Sequence, residues 1–207
     1  MHWAKSIRTT IAATSVLLGL ALLPCLAIAD NAAPTLAGPA LVDALRHGGY
    51  VIYFRHTSTD FGQNDEGMTS FEDCSKQRNL TEQGRAEARA IGAEIARLKL
   101  PIGAVLASPF CRTRETAMLI FGRATVEPRA RGGPAQADRY GPLKTLLSTP
   151  VVPASDDTVI VSHGNPFAAL AGTPYLQEGE AAVIEPLGER GFRIVARVKK
   201  DEWKTLQ

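Results

Sequence analysis

Cysteine is scarce in this chain: three residues in 207 are too few to build a disulfide-stapled miniprotein. An excess of either charge is missing too. Lysine and arginine number 23 against 21 acidic residues, and a net charge of +2 offers no polybasic face for nucleic acid. Several catalytic signatures are also absent. There is no G-x-S-x-G nucleophile elbow and no G-x-x-x-x-G-K-[ST] phosphate loop. Neither H-x-H nor H-E-x-x-H occurs, so a zinc hydrolase lacks its ligands. No cysteine is followed six positions later by an arginine, which removes the cysteine-nucleophile phosphatases. What is present is ordinary for a globular protein: 45% hydrophobic and 21% charged residues exclude disorder, collagen and coiled coil. The length suits one domain with a good core, or at most two small ones.

The N-terminus reads as an address rather than as part of the fold. Lys5 and Arg8 precede an apolar run over residues 11–23, Pro24 interrupts it, and Ala27-Ile28-Ala29 supplies a small-x-small end before Asp30. This pattern predicts a secretory signal over residues 1–29, cleaved after Ala29. The apolar run is shorter than the roughly 20 residues that a spanning helix needs. Pro24 also stands where a lipoprotein site would place a small residue before Cys25. Without residues 1–29 the chain carries 21 basic and 21 acidic residues, so neither nucleic acid nor a stable membrane anchor is expected. The expectation is export, to a periplasm in the first instance or outside the cell. Residues 30–39 read as a linker and residues 40–207 as the domain. Cys74 and Cys111 remain, an even pair that an oxidising compartment can join; two buried free thiols are the alternative.

Within the domain, strands and helices alternate. Residues 40–46 form a helical pattern, and the aromatic and β-branched run Tyr50-Val51-Ile52-Tyr53-Phe54 predicts a strand buried on both faces. A long polar loop leads to about Asn79. Thr81 is a candidate N-cap, and Ile91, Ile95 and Leu98 recur at helical spacing until Pro101. A second short strand (104–107) and a helix (112–121) follow, then a Gly/Pro/Arg-rich loop (127–136), a helical stretch at 142–147 and a third strand at 158–161. Two more strands are expected at 181–184 and 192–198. The alternation predicts an α/β fold, a three-layer α/β/α sandwich around a mostly parallel sheet. In such folds ligands bind beyond the carboxyl ends of the strands. Those ends carry Arg55-His56, Ser108 leading to Arg112, and Ser162-His163. A strand-end histidine is usually structural, but two of them joined by arginines suit phosphoryl chemistry. Arginine presents a planar fork to phosphate oxygens, and an imidazole nitrogen can attack phosphorus.

Four segments then resemble one family, in order. Arg55-His56-Thr57 is similar to an Arg-His-Gly box, with Thr57 where glycine is usual. The run from Asn79 to Arg85 resembles a helix-opening Leu-Thr-x-x-Gly segment. Ser108-Pro109-Phe110-Cys111-Arg112 through Ala117 resembles a Ser-Pro-x-x-Arg-x-x-x-Thr-Ala box, and Val161-Ser162-His163-Gly164-Asn165 a second-histidine box. These are the boxes of the histidine phosphatase superfamily, also called phosphoglycerate-mutase-like. The resemblance implies a phosphomonoester hydrolase, a histidine acid-type phosphatase needing neither metal nor cofactor, with a small phosphorylated substrate as partner. It implies His56 as nucleophile through a phosphohistidine, with Arg55, Arg112 and His163 lining the phosphate pocket and Asn165 a further substrate contact. His163 would serve as imidazolium, in keeping with a mildly acidic optimum. Arg85 and Arg114 read as surface helix charges.

The chain departs from the pattern at the proton donor. The stretch after the Ser-Pro-x-x-Arg helix, Val126-Glu127-Pro128-Arg129, has no clean carboxylate match, and Gly164-Asn165 follows the second histidine. Asp60, Asp65, Glu66 and Glu180 stay open as candidates. The missing donor disfavours a mutase. The alternative reading is a catalytically inactive exported module that binds phosphate or a phospho-ligand.

Overall fold

The computed structural model describes Met1 and residues 36–131 and 138–207. The expected signal and its cleavage site lie outside the described residues, as do residues 30–35 of the linker and 132–136 of the Gly/Pro/Arg-rich loop. Among the described residues no helix is long and apolar enough to cross a membrane.

The strands are β1 (Val51–Arg55), β2 (Ile102–Ala107), β3 (Thr125–Val126), β4 (Asp157–Ser162), β5 (Ala181–Pro186) and β6 (Phe192–Val198). They form one sheet in the order β3-β2-β4-β1-β5-β6. The first four are parallel, while β5 runs antiparallel to β1 and β6 antiparallel to β5. The helices are α1 (Gly38–His47), α2 (Glu82–Leu98), α3 (Cys111–Phe121), α4 (Gly141–Ser148) and α5 (Gly164–Ala171).

The continuous apolar strands are buried on both faces because each face meets helices. On one face Ile52, Phe54, Val159 and Val161 share a core with Leu41 and Leu45 of α1, Ile91, Ile95 and Leu98 of α2, Ile120 of α3 and Trp203. On the other, Val51, Tyr53, Ile160 and Ala182 pack with Leu143 and Leu147 of α4 and Phe167 of α5. The result is the expected three-layer sandwich. The Ile91, Ile95, Leu98 stripe of α2 is buried as its spacing predicts, and the Thr81 hydroxyl accepts the Gly84 N–H at 2.9 Å as N-cap. Gly84 is also obligatory sterically: a Cβ there would come within 2.0 Å of the Ser58 carbonyl oxygen. This close approach seats the start of α2 against the loop that follows β1.

Some elements differ from expectation. The first helix begins at Gly38, two residues inside the expected linker. Strand β3 has two residues, too short to leave a pattern. Helix α5, over GNPFAALA, has no counterpart among the expected elements, and it carries glycine and proline in its first turn. Proline is tolerated there since the first N–H groups have no intrahelical partner.

One buried acid lies far from the strand ends that matter for function. Asp157 opens β4 with no exposed surface; its Oδ1 accepts the Tyr50 N–H at 2.9 Å, and Oδ2 has no partner among the described residues. Burial first, and then the nearby Asp156 charge, push its pKa up to about 7, against the opposing Tyr50 hydrogen bond. The folded state therefore holds this proton more tightly than the unfolded chain, so stability falls as pH rises from about 4 to 7. Asp157→Asn keeps the acceptor for Tyr50 and cannot ionise. Its Tm relative to the parent should rise by about 4 °C or more between pH 4 and pH 8. A difference independent of pH in thermal melts would refute the assignment.

Candidate active site

Main-chain bonds that continue past the strands bring three strand ends to one place. Arg55 is in register with Ser162. The His56 N–H donates to the Ser162 carbonyl at 3.0 Å, and the Ser108 N–H to the Val161 carbonyl at 2.9 Å. Arg55, His56, Arg112 and His163 gather there, while Asn165 is exposed in the first turn of α5 and, among the described residues, bonds to none of the four.

His56 is 1% exposed, and its Nδ1 lies 2.9 Å from the Thr57 carbonyl oxygen. A carbonyl only accepts, so Nδ1 carries the proton and Nε2 keeps its lone pair. Thr57 stands in place of glycine without strain. Its N–H and hydroxyl each meet the Thr116 hydroxyl at 3.3 Å, and among the described residues only Lys99 is a non-glycine with positive φ.

The second imidazole is fixed from several sides. His163 Nε2 lies 2.8 Å from the Ser108 hydroxyl. The Tyr53 hydroxyl donates to the His163 carbonyl at 2.8 Å and accepts its N–H at 3.3 Å, while the Tyr53 ring stacks on Phe167. The two imidazole centroids are 5.6 Å apart at 67°, and the Phe110 ring meets His163 edge-on at 4.9 Å.

Each arginine is held by groups that leave one edge free. Arg55 donates from Nη1 to the Leu176 carbonyl at 2.8 Å, and its Nη2 lies 3.5 Å from Glu178 Oε1. Arg112, in the first turn of α3, forms a bidentate pair with Asp65 at 3.0 and 3.1 Å and also donates to the Arg78 carbonyl at 3.2 Å. Its guanidinium sits 4.3 Å over the Phe110 ring. The Nε of Arg55 and the Nε of Arg112 are buried without a partner among the described residues. Unpaired buried donors of this kind are costly in a protein interior and mark a place built for an acceptor.

Burial, followed by the charges of Arg112, Arg55 and Arg78, pushes the His56 pKa down to about 3 despite the Thr57 bond. His163 is lowered well below the ordinary histidine value by burial first, and then by its neighbours' positive charge. In the ligand-free site both imidazoles are therefore neutral at mildly acidic pH. The expected imidazolium at His163 calls for an anion that offsets this burial and the surrounding guanidiniums.

The four carboxylates suggested as proton donors separate. Asp65 lies on Arg112. Glu180 is 4% exposed, bonded to Arg197 at 2.7 Å and to the Gln177 N–H at 2.6 Å. Asp60 accepts the Gly62 N–H in an exposed turn, and Glu66 is exposed. Arg85 pairs with Glu115 and Glu82, and Arg114 reaches the Phe71 carbonyl. Sequence reasoning missed Glu178, whose Oε1 is 3.9 Å from His56 Nδ1 and is held by the Thr59 hydroxyl at 2.7 Å. It also missed Arg78. No sequence pattern connects Glu178 to His56; the antiparallel placement of β5 beside β1 does. Among the described residues no three His, Cys, Asp or Glu side chains gather as a metal-binding set.

These features belong to a recognisable class. Residues 51–133, which include Arg55, His56 and Arg112, match the family model of the histidine phosphatase superfamily (branch 1). Solved structures share the fold. Mycobacterial glucosyl-3-phosphoglycerate phosphatase Rv2419c in complex with VO3 is 16% identical, with a TM-score of 0.52 over 71% of this chain and 97% of that one. The protein histidine phosphatase SixA in complex with tungstate is 19% identical, with a TM-score of 0.51 over 73% of this chain and 97% of that one. No curated protein matches the chain. The match to the histidine phosphatase superfamily lies in residues 51–133, and the solved structures share the fold of the chain.

A covalent staple joins the loop over the site to the helix that carries Arg112. Cys74 and Cys111 are disulfide-bonded across 37 positions, with Cα atoms 5.7 Å apart. Beside it, Gln77 accepts the Cys111 N–H at 2.9 Å and donates to the Phe71 carbonyl at 3.0 Å. Closing a loop of this length stabilises by about 4 kcal/mol in the chain-entropy account. Replacing both cysteines by serine should lower the urea midpoint by a corresponding amount and hasten proteolytic cleavage within residues 57–79. Unchanged unfolding and cleavage would show that the loop does not depend on the bond.

Proposed function

We propose that this protein is a phosphatase that hydrolyses a small phosphomonoester through a phosphohistidine on His56, without metal. The observation that carries the reading is the pairing of a pinned imidazole, proton on Nδ1 and lone pair on Nε2, with two buried guanidinium Nε–H groups that lack an acceptor. Phosphoryl oxygens satisfy those donors. The Nε2 lone pair attacks phosphorus, the P–O bond to the leaving group breaks, and its electron pair stays on the leaving oxygen, which then takes a proton. Water next attacks the phosphohistidine and the N–P bond breaks, releasing phosphate and neutral His56. Arg55 and Arg112 offset the charge on the non-bridging oxygens. His163 is lowered by burial first and by its positive neighbours second; a bound dianion acts in the opposite sense, favouring proton uptake by this imidazole and donation towards the ligand. Among the candidate carboxylates Asp65 has its side chain bonded to a site arginine, Arg112. The N-terminal pattern and the disulfide support an exported phosphatase, periplasmic in the first instance.

Hydrolysis of p-nitrophenyl phosphate between pH 4 and 8 in excess EDTA tests the reading directly. Turnover should survive EDTA and fall by about a thousandfold or more in His56→Ala, the range expected when a nucleophile is removed. Phosphate binding without turnover at any pH would favour the inactive binding module instead.

The acid limb of the pH profile is a second check. An essential nucleophile must be deprotonated, and kcat/KM reports the free enzyme. With His56 lowered to about 3, kcat/KM should show no loss from pH 7 down to pH 5 once the substrate's own ionisation is divided out. A limb near the ordinary histidine value would contradict the assignment.

A further inference from the structure

We propose that Arg78 is a third guanidinium of this site and binds the phosphoryl group itself, not the leaving group. The residue belongs to none of the resemblance boxes. Its main chain is wedged between the two partners of the Arg112 pair: the Arg78 N–H donates to Asp65 Oδ1 at 2.9 Å, and the Arg78 carbonyl accepts from Arg112 Nη1 at 3.2 Å. On either side the chain is fixed, by Gln77 bonded to the Cys111 N–H and by buried Leu80. The backbone at 78 therefore cannot swing away while Arg112 and the disulfide stay in place.

The side chain has nothing to neutralise it. Its guanidinium lies 4.8 Å over the ring of Phe61, which is 72% exposed. Among the described residues it makes no hydrogen bond and has no carboxylate within salt-bridge distance. Arg85, Arg97, Arg129, Arg193 and Arg197 all have acidic partners. Stacking on an aromatic face orients a guanidinium and leaves its N–H edges open.

The charge is also well placed. Arg78 acts on both imidazoles and on both other arginines, lowering the pKa of each. A cation held among others of its sign raises the energy of the empty site, and only an anion at the common focus reverses that cost. Since the focus includes His56 and His163, the anion that Arg78 meets is the one that His56 attacks.

For turnover the proposal rests on the phosphatase reading; for binding it stands alone. The experiment measures affinity for inorganic phosphate by calorimetry on the whole protein, in the parent, Arg78→Gln, Arg78→Lys and Arg193→Gln. Arg78→Gln should weaken phosphate binding at least tenfold. Arg78→Lys, which keeps charge without the planar fork, should be intermediate, and Arg193→Gln, a charge removed from β6, should match the parent. Histidine titrations by NMR should move upward for both site imidazoles in Arg78→Gln, a change that a merely structural role would not produce. With phenyl phosphate and 4-carboxyphenyl phosphate as substrates, kcat/KM should fall by the same factor for both.

Phosphate affinity within twofold of the parent in Arg78→Gln would overturn the proposal. So would a loss confined to 4-carboxyphenyl phosphate, which would place Arg78 on the leaving group, or a parent protein that binds no phosphate. A parent that binds phosphate through Arg78 but hydrolyses neither ester would sink the phosphatase reading and leave this one standing. Should Arg78→Gln melt well below the parent, Arg78→Lys decides alone: binding and histidine titrations like the parent's would count against a phosphate-binding fork.

Discussion

Positive charge is crowded at one end of the sheet, and much of the surrounding structure acts to hold it there. Burial first, and then the charges of Arg112, Arg55 and Arg78, lower the pKa of both imidazoles, so the neutral forms of His56 and His163 are favoured and five adjacent charges are avoided. Two carboxylates, Asp65 and Glu178, offset part of what remains. A cluster of this kind does not assemble spontaneously. It persists because β1 and β4 end in register and hydrogen bonds beyond the strand ends continue the ladder into the site. Apolar burial on both faces of those strands supplies the stability that the electrostatics withdraw.

The way the charged groups are oriented follows from the same constraint. Besides the carboxylates of Asp65 and Glu178, Arg55 is held by the Leu176 carbonyl, Arg112 by the Arg78 carbonyl, His56 by the Thr57 carbonyl and His163 through its own backbone by Tyr53. A carbonyl dipole fixes a cation's direction without cancelling its charge, whereas a carboxylate does both. Backbone acceptors also cannot rotate away when a ligand arrives. The groups are therefore oriented in advance of binding and need little reorganisation, which is the condition for strong electrostatic stabilisation.

What the sequence disclosed and what it hid divide along the same line. Residues 50–54 and 158–161 declare themselves as buried strands because both faces are apolar, and the strand-end positions of Arg55, His56 and His163 follow at once. The Thr81 cap and the Ile91, Ile95, Leu98 stripe are equally local. Glu178 is different. It reaches His56 because β5 pairs antiparallel beside β1 and the Gly179 N–H binds the His56 carbonyl at 2.9 Å, a relation across more than a hundred residues with no local signature. Arg78 lies one residue before the segment from Asn79 to Arg85, but an arginine in a polar loop carries no periodicity. Its placement depends on Asp65 and Arg112, which become neighbours only in the folded chain. Cys74 and Cys111 were visible as an even pair, while their bonding needed the loop to close back on α3.

Asp65 bears on how a ligand can enter. With both Nη atoms of Arg112 on its carboxylate, the outer fork of that guanidinium is taken and the Nε edge remains. Arg55 presents the same edge, since its Nη atoms face Leu176 and Glu178. Under the phosphatase reading these two arginines then offer an anion two Nε edges rather than bidentate forks, with the Nε2 lone pair of His56 facing phosphorus. Such a grip is less tight for a ground-state dianion, because fewer donors meet it. It leaves the non-bridging oxygens freer to rearrange as the P–O bond opens. Under the same reading Asp65 would weaken the hold on the resting phosphate more than on the arrangement in which charge has spread outward, the distinction between binding and turnover that catalysis requires.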